Sequence, residues 1–358
     1  MKGLMKYLSP FAPDISGACE VLFKMGGLIV IIDAGGCTGN VCGFDEPRWS
    51  SERSAIFSAG LRDLDAILGR DEQMMKKIGD VLRVMRGEEG EGANFLALVG
   101  TPVPSVIATD YRALRRMGMN RFGIPTVTVE TTGMDLYDRG QEKAYLALLD
   151  EFMEEVRGSG RDKDAENTDN GLLGILGATP MDLLSSDSVA SVGERAGRCG
   201  GPSVRIFGER VEDFRDAASF HENIVVSPSG IAAAERIRET AGVPYRVFYP
   251  LPAGFSSMLT GDLSGKKVLI VHQAVLALTL REELISAYPD AVIDTATFFM
   301  PYGDCRHLSE EDDFIELVRE GSYDLIIADP LLRRACRGYA GEFIELPHFA
   351  VSGNASAG

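Results

Sequence analysis

Three cysteines near the N-terminus, Cys19, Cys37 and Cys42, are the residues whose type and spacing could do chemistry. They fall within 24 residues, and Cys37 directly follows the Gly35-Gly36 pair. Cysteine thiolates on loops are the usual ligands of iron-sulfur clusters, and neighbouring glycines let the backbone offer amides to the sulfides. Spacing alone leaves two interpretations open, a cluster site or buried structural cysteines. It favours the second, because reduced cysteine is among the most buried residue types.

Other motifs for catalysis or nucleotide binding are missing or isolated. The chain has no CxxC pair, which removes the ferredoxin-like and zinc-ribbon alternatives. GDLSGKK at residues 261–267 is too short for a Walker A loop, so direct ATP binding has no support. The sequence has no GxSxG, and no GxGxxG after a predicted strand, which argues against a serine hydrolase and a nicotinamide dehydrogenase. We assign no role to the remaining cysteines and three isolated histidines, Cys199, Cys305, Cys336, His221, His272 and His307.

The composition is that of a globular protein with an acidic surface. The 358 residues exceed the size of one hydrophobic core, so two or three domains are expected. A net charge of -17 opposes extended contact with a phosphate backbone, so we expect no nucleic-acid partner. The sequence has no long apolar run and no signal-peptide pattern. We therefore expect a cytoplasmic protein that does not enter a membrane, with its cysteines reduced or metal-bound.

The order of predicted elements indicates an α/β fold built from parallel sheets. Short apolar runs closed by Gly or Pro alternate with amphipathic segments in three zones of the chain. We predict one domain in each zone: 1–168 with a charged linker, 169–257 and 258–358. Predicted strands are 28–33, 94–99, 126–130, 172–176, 203–207, 223–226, 267–271, 291–295 and 325–328, and predicted helices are 71–86, 105–117, 141–156 and 230–241. Ligands bind beyond the carboxyl ends of parallel strands, so chemistry is expected in the loops at 34–44 and 100–105.

A family resemblance begins with the stretch SGACEVLFKMGGLIVIIDAGGCTGNVCGFDEPRW, residues 16–49. It resembles the N-terminal region of nitrogenase component 1 subunits, where one cysteine precedes a helix and another follows a glycine turn. The resemblance maps two cluster cysteines onto Cys19 and Cys37. It continues in order through SAGLRDLDAILG at 58–69, NFLALVGTPVPSVIATDYRAL at 94–114, FGIPTVTVETTG at 122–133, AGVPY at 241–245, and the segment 324–334.

The resemblance implies three Rossmann-like domains of the nitrogenase component 1 type and an oligomer with an iron-sulfur cluster at a subunit interface. It also implies electrons delivered by an ATP-dependent Fe protein. Thr101 stands where the family has its third cysteine, so the matched positions of one chain cannot supply four thiolates. Two solutions stay open: a 4Fe-4S cluster shared across a dimer by Cys19 and Cys37 of each chain, or a site completed by Cys42, an Asp or a partner subunit. We prefer the shared interface, with an identical chain or a homologous component 1 subunit as partner.

The region of the family's large cofactor also departs from the pattern. Ser227-Pro228-Ser229 stands near the position where molybdenum nitrogenase has its cofactor cysteine, and His348 lies near the cofactor histidine. The resemblance therefore implies that the large cofactor is not held in the same way, and we do not expect dinitrogen reduction. The leading hypothesis is a component that uses Fe-protein electrons to reduce an unsaturated small molecule, such as a tetrapyrrole or a sulfur-containing metabolite. The alternatives are a scaffold for metallocluster assembly and a clusterless α/β ligand-binding protein.

Overall fold

The structure is a computed structural model, and it describes residues 5–41, 55–61, 71–86, 92–153, 171–201 and 203–353. Within those residues the strands form three sheets in which neighbouring strands are parallel. No helix in the described part of the chain is long and apolar enough to cross a membrane. The predicted α/β class with parallel sheets is confirmed.

The first sheet has the strand order β2-β1-β3-β4. Its strands are β1 (Leu28–Ile31), β2 (Ala55–Ser58), β3 (Leu96–Val99) and β4 (Thr126–Val129). The helices of this part are α1 (Asp14–Phe23), α2 (Gly36–Asn40), α3 (Asp71–Arg86), α4 (Pro102–Val106), α5 (Tyr111–Phe122) and α6 (Tyr137–Phe152). Strands β1 and β3 are fully buried, as parallel strands covered by helices on both faces are.

The second sheet has the order β6-β5-β7-β8. It contains β5 (Leu172–Leu176), β6 (Ser203–Ile206), β7 (Glu222–Val225) and β8 (Tyr245–Val247), with helices α7 (Val189–Gly200), α8 (Val211–Arg215), α9 (Ile231–Ala241) and α10 (Phe255–Leu259). The third sheet has the order β11-β10-β9-β12-β13. It contains β9 (Lys267–Val271), β10 (Val292–Thr297), β11 (Arg306–His307), β12 (Leu325–Ala328) and β13 (Glu342–Glu345), with helices α11 (Ala274–Ala287), α12 (Glu311–Gly321) and α13 (Phe349–Ser352).

Helices α1 and α6 pack with their backbones in contact. A Cβ atom at Gly17 would lie 1.9 Å from the Tyr137 carbonyl oxygen, and one at Gly140 would lie 1.8 Å from the Asp14 carbonyl oxygen. Both positions therefore require glycine, because any side chain would push the two helices apart. This close approach lets the Gln141 side chain on α6 donate a 3.1 Å hydrogen bond to Glu20 on α1.

Contacts also cross between the three predicted domains, whose boundaries stay a prediction. One hydrophobic cluster contains Val99 from the first sheet and Val225 from the second. The N-terminal residues lie against the third sheet instead, where Glu311 of α12 accepts hydrogen bonds from the amides of Lys6, Tyr7 and Leu8 at 2.9 to 3.1 Å. The sheets are therefore tied together both by a shared core and by the chain terminus.

Candidate functional site

Cys37 lies at the carboxyl edge of the first sheet, in the short helix α2 that follows β1. Its side chain is half-buried at the edge of the hydrophobic cluster that contains Cys19. The buried Asp33 carboxylate accepts hydrogen bonds from the Thr38 amide at 2.9 Å and the Ser58 hydroxyl at 2.6 Å, which anchors α2 to β2. Burial raises the pKa of the Cys37 thiol, and the Asp33 carboxylate raises it further. The thiol is therefore protonated at neutral pH unless a positive group binds it.

No described residue covers the backbone on the N-terminal side of Cys37. A Cβ atom at Gly35 or Gly36 would meet no other described atom within 4 Å. The described residues therefore leave the backbone beside the half-buried Cys37 uncovered.

Cys19 occupies the opposite kind of environment. It lies in the middle of α1 with 0% of its surface exposed, inside the hydrophobic cluster. A charged thiolate is costly in an apolar core, so a ligand role for Cys19 would need the packing around α1 to open. Cys19 and Cys37 thus belong to the same hydrophobic cluster of side chains, with Cys37 at its edge and Cys19 in its interior.

Thr101, the residue at the family's third cysteine position, has a structural role. Its buried hydroxyl donates a 2.7 Å hydrogen bond to the Ile32 carbonyl and joins the ends of β3 and β1. Cys42, the remaining predicted ligand, lies outside the described residues. Among the residues that the structure does describe, no group of three or more His, Cys, Asp or Glu side chains is arranged to hold a metal ion.

A second group of chemistry-bearing side chains lies where the three sheets meet, and the family resemblance points to only one of its members, His348. The Tyr137 hydroxyl donates a 2.7 Å hydrogen bond to Asp182 and lies 3.1 Å from Nε2 of His348. The Thr179 hydroxyl donates to the other Asp182 oxygen at 3.2 Å, and the Gln141 amide donates to Thr179 at 2.7 Å. We call this buried set the junction network; its members are Glu20, Tyr137, Gln141, Thr179, Asp182 and His348.

The carboxyl ends of strands position much of the junction network. Thr179 and Asp182 lie in the loop after β5, and His348 follows β13. The Ser227 hydroxyl, two residues after β7, lies near enough to Asp182 to lower its pKa. The rule that ligands bind beyond the carboxyl ends of parallel strands therefore applies here too. Applied to the predicted strands β5 and β7, it would have pointed to the loops that carry Thr179, Asp182 and Ser227, but not to His348, because β13 lacks the apolar signal of a buried strand.

Burial sets the proton affinities in this region. It raises the pKa of Asp182 to about 7, against the Tyr137 hydrogen bond and the nearby Ser227 hydroxyl, which both lower it. Burial also lowers the pKa of His272 to about 4. The pKa of His348 lies well below its ordinary value, first through burial and then through His272. At pH 7 both imidazoles are neutral, whereas Asp182 is poised to give or take a proton.

The two histidines form a stacked pair. The rings of His272, which directly follows β9, and His348 have centroids 4.2 Å apart and planes 19° from parallel. The Tyr137 hydroxyl uses its hydrogen in the bond to Asp182, so it can only accept a hydrogen bond from His348. This assigns the His348 ring the tautomer with its hydrogen on Nε2. His272, isolated in the sequence, therefore packs against the junction network from the third sheet.

A cavity of about 580 Å³ opens beside the junction network, between α1 and the carboxyl ends of β5 and β6. Glu20 and Thr179 of the network and Tyr145 of α6 form part of its wall. Because the Thr179 hydroxyl is hydrogen-bonded to Asp182, one hydroxyl group separates the cavity from the titrating carboxyl. The volume falls within the range typical of small-molecule sites.

Comparison with known proteins gives the family of the chain. Residues 14–260 match the family described as nitrogenase component 1 type oxidoreductase, which is more than half of the sequence. The chain belongs to this family. Its fold is similar to that of nitrogenase Cp1 at pH 6.5, with a TM-score of 0.69 and 11% identity over 100% of this chain and 89% of that chain. Nitrogenase Cp1 at pH 5 gives a TM-score of 0.63 and 12% identity over 92% of this chain and 81% of that chain.

No curated protein matches the sequence. Membership of the nitrogenase component 1 family confirms the predicted resemblance and supports a reductase role and an iron-sulfur cofactor in general terms. The described residues fit such a cofactor in part. Cys37, half-buried and preceded by two glycines, suits a single thiolate ligand, whereas Cys19 is buried in the core and the Thr101 hydroxyl is hydrogen-bonded to the backbone.

Proposed function

We propose that this protein is the cluster-bearing component of a two-component reductase. It takes low-potential electrons from an ATP-dependent Fe protein and reduces a small unsaturated molecule. The observation that carries the proposal is the junction network, in which Asp182, with a pKa of about 7, lies buried where the three sheets of a nitrogenase component 1 family member meet. Reduction of an unsaturated bond needs protons as well as electrons, and a buried acid of this pKa is suited to supply them at neutral pH.

We place the proposed iron-sulfur cluster at the carboxyl edge of the first sheet, with Cys37 as a ligand and a second copy of the chain completing the site. A 4Fe-4S cluster bound there would supply one-electron redox chemistry. Apolar side chains exposed after β3 and β4 support a protein interface on this edge. Val106 is 85% exposed and Met134 is 84% exposed, and exposed apolar groups that lie together mark protein interaction sites. Gly133, beside Met134, packs against Pro102 of α4, which joins the two exposed segments.

Cys19 and Cys42 stay in the proposal as the further ligands to be tested. The experiment is iron and sulfide content, with an EPR spectrum before and after dithionite, on protein purified without oxygen. We expect about four irons per dimer and a reduced-state signal. Cys37→Ser should lose both, and Cys199→Ser, which changes an exposed cysteine on α7, is the matched control.

Each outcome assigns the ligands differently. Iron retained in Cys37→Ser would remove Cys37 from the site. Iron lost in Cys19→Ala, at unchanged stability, would show that α1 opens to let the thiolate bind. A wild-type chain that stays iron-free after reconstitution would leave the clusterless ligand-binding alternative, and iron passed to an apo-ferredoxin on mixing would favour an assembly scaffold.

A further inference from the structure

The Asp182 carboxyl is enclosed by groups that solvent does not reach. Asp182 is fully buried, as are Tyr137, which hydrogen-bonds to it, and Ser227, which lies beside it. An acid that gives up protons repeatedly needs a route by which solvent returns them. Of the side chains that hydrogen-bond to Asp182 in the described part of the chain, Thr179 alone has exposed surface, 5%, and it lies in the cavity wall.

The cavity connects Thr179 to bulk solvent. The side chains of Lys24, Glu209 and Arg210 in its wall are 32%, 37% and 59% exposed, so solvent reaches it. Thr179 therefore lies between a water-accessible space and the buried carboxyl of Asp182.

Neighbouring groups fix the direction in which the Thr179 hydroxyl donates. One nitrogen of the Gln141 side chain lies 2.7 Å from the Thr179 oxygen and 3.1 Å from a Glu20 oxygen. A carboxylate only accepts hydrogen bonds, so the contact with Glu20 assigns this atom as the amide nitrogen. The Thr179 oxygen therefore accepts from Gln141, and its own hydrogen is left to bond to Asp182 at 3.2 Å. Gln141 thus positions the Thr179 hydroxyl toward the carboxyl.

We infer that Thr179 is a proton relay between water in the cavity and Asp182. A cavity water gives a proton to the Thr179 oxygen while the hydrogen of the Thr179 hydroxyl passes to Oδ2 of Asp182. One O–H bond of the threonine breaks as another forms, and Asp182 becomes the neutral acid. The water becomes hydroxide, which bulk solvent neutralises, and no electron moves. The use of this relay in a reduction rests on the proposed function, whereas the relay itself does not.

Deuterium exchange of the Asp182 carboxyl tests the relay. The full chain is mixed rapidly with deuterated buffer at about pH 6, where Asp182 holds its proton. The carbonyl stretch of the protonated carboxyl, identified by its loss in Asp182→Asn, shifts as deuterium replaces the proton, and infrared spectroscopy follows the rate. Thr179→Val should slow exchange about tenfold or more, because local opening of the fold is then the remaining route. Thr179→Ser keeps the hydroxyl and should restore most of the rate.

The sign of the change separates a relay from a purely structural role. If Thr179 only stabilised the fold, Thr179→Val would favour local opening and exchange would become faster. Ser227→Ala is the matched control and should not slow exchange, because it removes a buried hydroxyl beside Asp182 that does not line the cavity. Exchange in Thr179→Val at or above the wild-type rate would overturn the inference, as would equal slowing in Ser227→Ala.

The exchange experiment contains no electron donor. Failure of the reductase function would therefore leave the exchange rates unchanged. Failure of the relay would in turn leave the iron content and the EPR signal of the wild type unchanged.

Discussion

The hydroxyl of Tyr137, at the start of α6, donates a 2.7 Å hydrogen bond to the carboxylate of Asp182 in the loop after β5. The same hydroxyl lies 3.1 Å from His348, which follows β13. One phenol group therefore joins segments from all three sheets, in a buried site. In a buried hydrogen-bond network, the loss of one group weakens the hydrogen bonds of its neighbours, so the stability of the three segments should depend on Tyr137.

Removal of the Tyr137 hydroxyl should destabilise the fold. Tyr137→Phe leaves a buried carboxyl and a buried imidazole each without one partner, so we expect a loss of about 1 to 3 kcal/mol in the free energy of unfolding. Denaturant unfolding at pH 7 measures it. Tyr145→Phe, which removes a buried hydroxyl without a partner, should not lower the free energy of unfolding. Equal losses in the two variants would contradict the assigned hydrogen bonds.

Asp182 should make the fold less stable as the pH rises. Its pKa is about 7 in the native state and about 4 in an unfolded chain. The native state therefore holds the proton more tightly between these values. Relative to Asp182→Asn, the wild type should lose about 1.4 kcal/mol of stability per pH unit from about pH 4 to pH 7. Denaturation curves of both proteins across this range give the difference directly. A constant difference would mean that Asp182 does not titrate there.

The difference between the two proteins is the quantity to follow, because the histidines act in the opposite direction. The pKa values of His272 and His348 are lowered in the native state. Protonation therefore favours unfolding as the pH falls below about 6.5. Both histidines are present in the wild type and in Asp182→Asn, so their effect cancels in the comparison.

Thr101 should matter for stability through its hydroxyl. Thr101→Val removes the 2.7 Å hydrogen bond to Ile32 and leaves a buried carbonyl without that donor. We expect a loss of about 1 to 2 kcal/mol in the free energy of unfolding. Thr101→Ser keeps the hydroxyl and should recover much of the loss. If the valine variant is as stable as the wild type, the hydroxyl is not needed to join β1 and β3.

Glu311 should hold the N-terminal segment on the third sheet. Its side chain, 3% exposed, accepts backbone hydrogen bonds from Lys6, Tyr7 and Leu8. Glu311→Ala should cost about 2 to 3 kcal/mol, since these bonds are made to a charged group. Hydrogen exchange of the three amides should become faster in the variant. Glu316→Ala, at an exposed position on the same helix, is the control and should leave their exchange unchanged.

The sequence predicts best the strands in the interior of each sheet. Strands β5, β9 and β12 have the predicted bounds, because a buried parallel strand is a short apolar run closed by a turn residue. The edge strands β2, β8, β11 and β13 are not predicted, since they are short and partly exposed and lack the signal of a long buried apolar run. The predicted helix 105–117 is two helices, α4 and α5. Asp110 caps α5 by accepting a hydrogen bond from the Ala113 amide at 2.9 Å, a start signal that the helical spacing concealed.

The sequence by itself determined the α/β class, the family, and Cys37 as a residue at the carboxyl edge of a buried strand. Each of these depends on local patterns of apolar residues, glycines and cysteines in the sequence. Only the tertiary structure decided that Cys19 lies inside the core, because burial depends on the helix that covers it, here α6 through Gly17 and Gly140. It also decided the junction network. Tyr137, Asp182 and His348 are far apart in the chain and meet because parallel strands direct their carboxyl ends to one edge of each sheet.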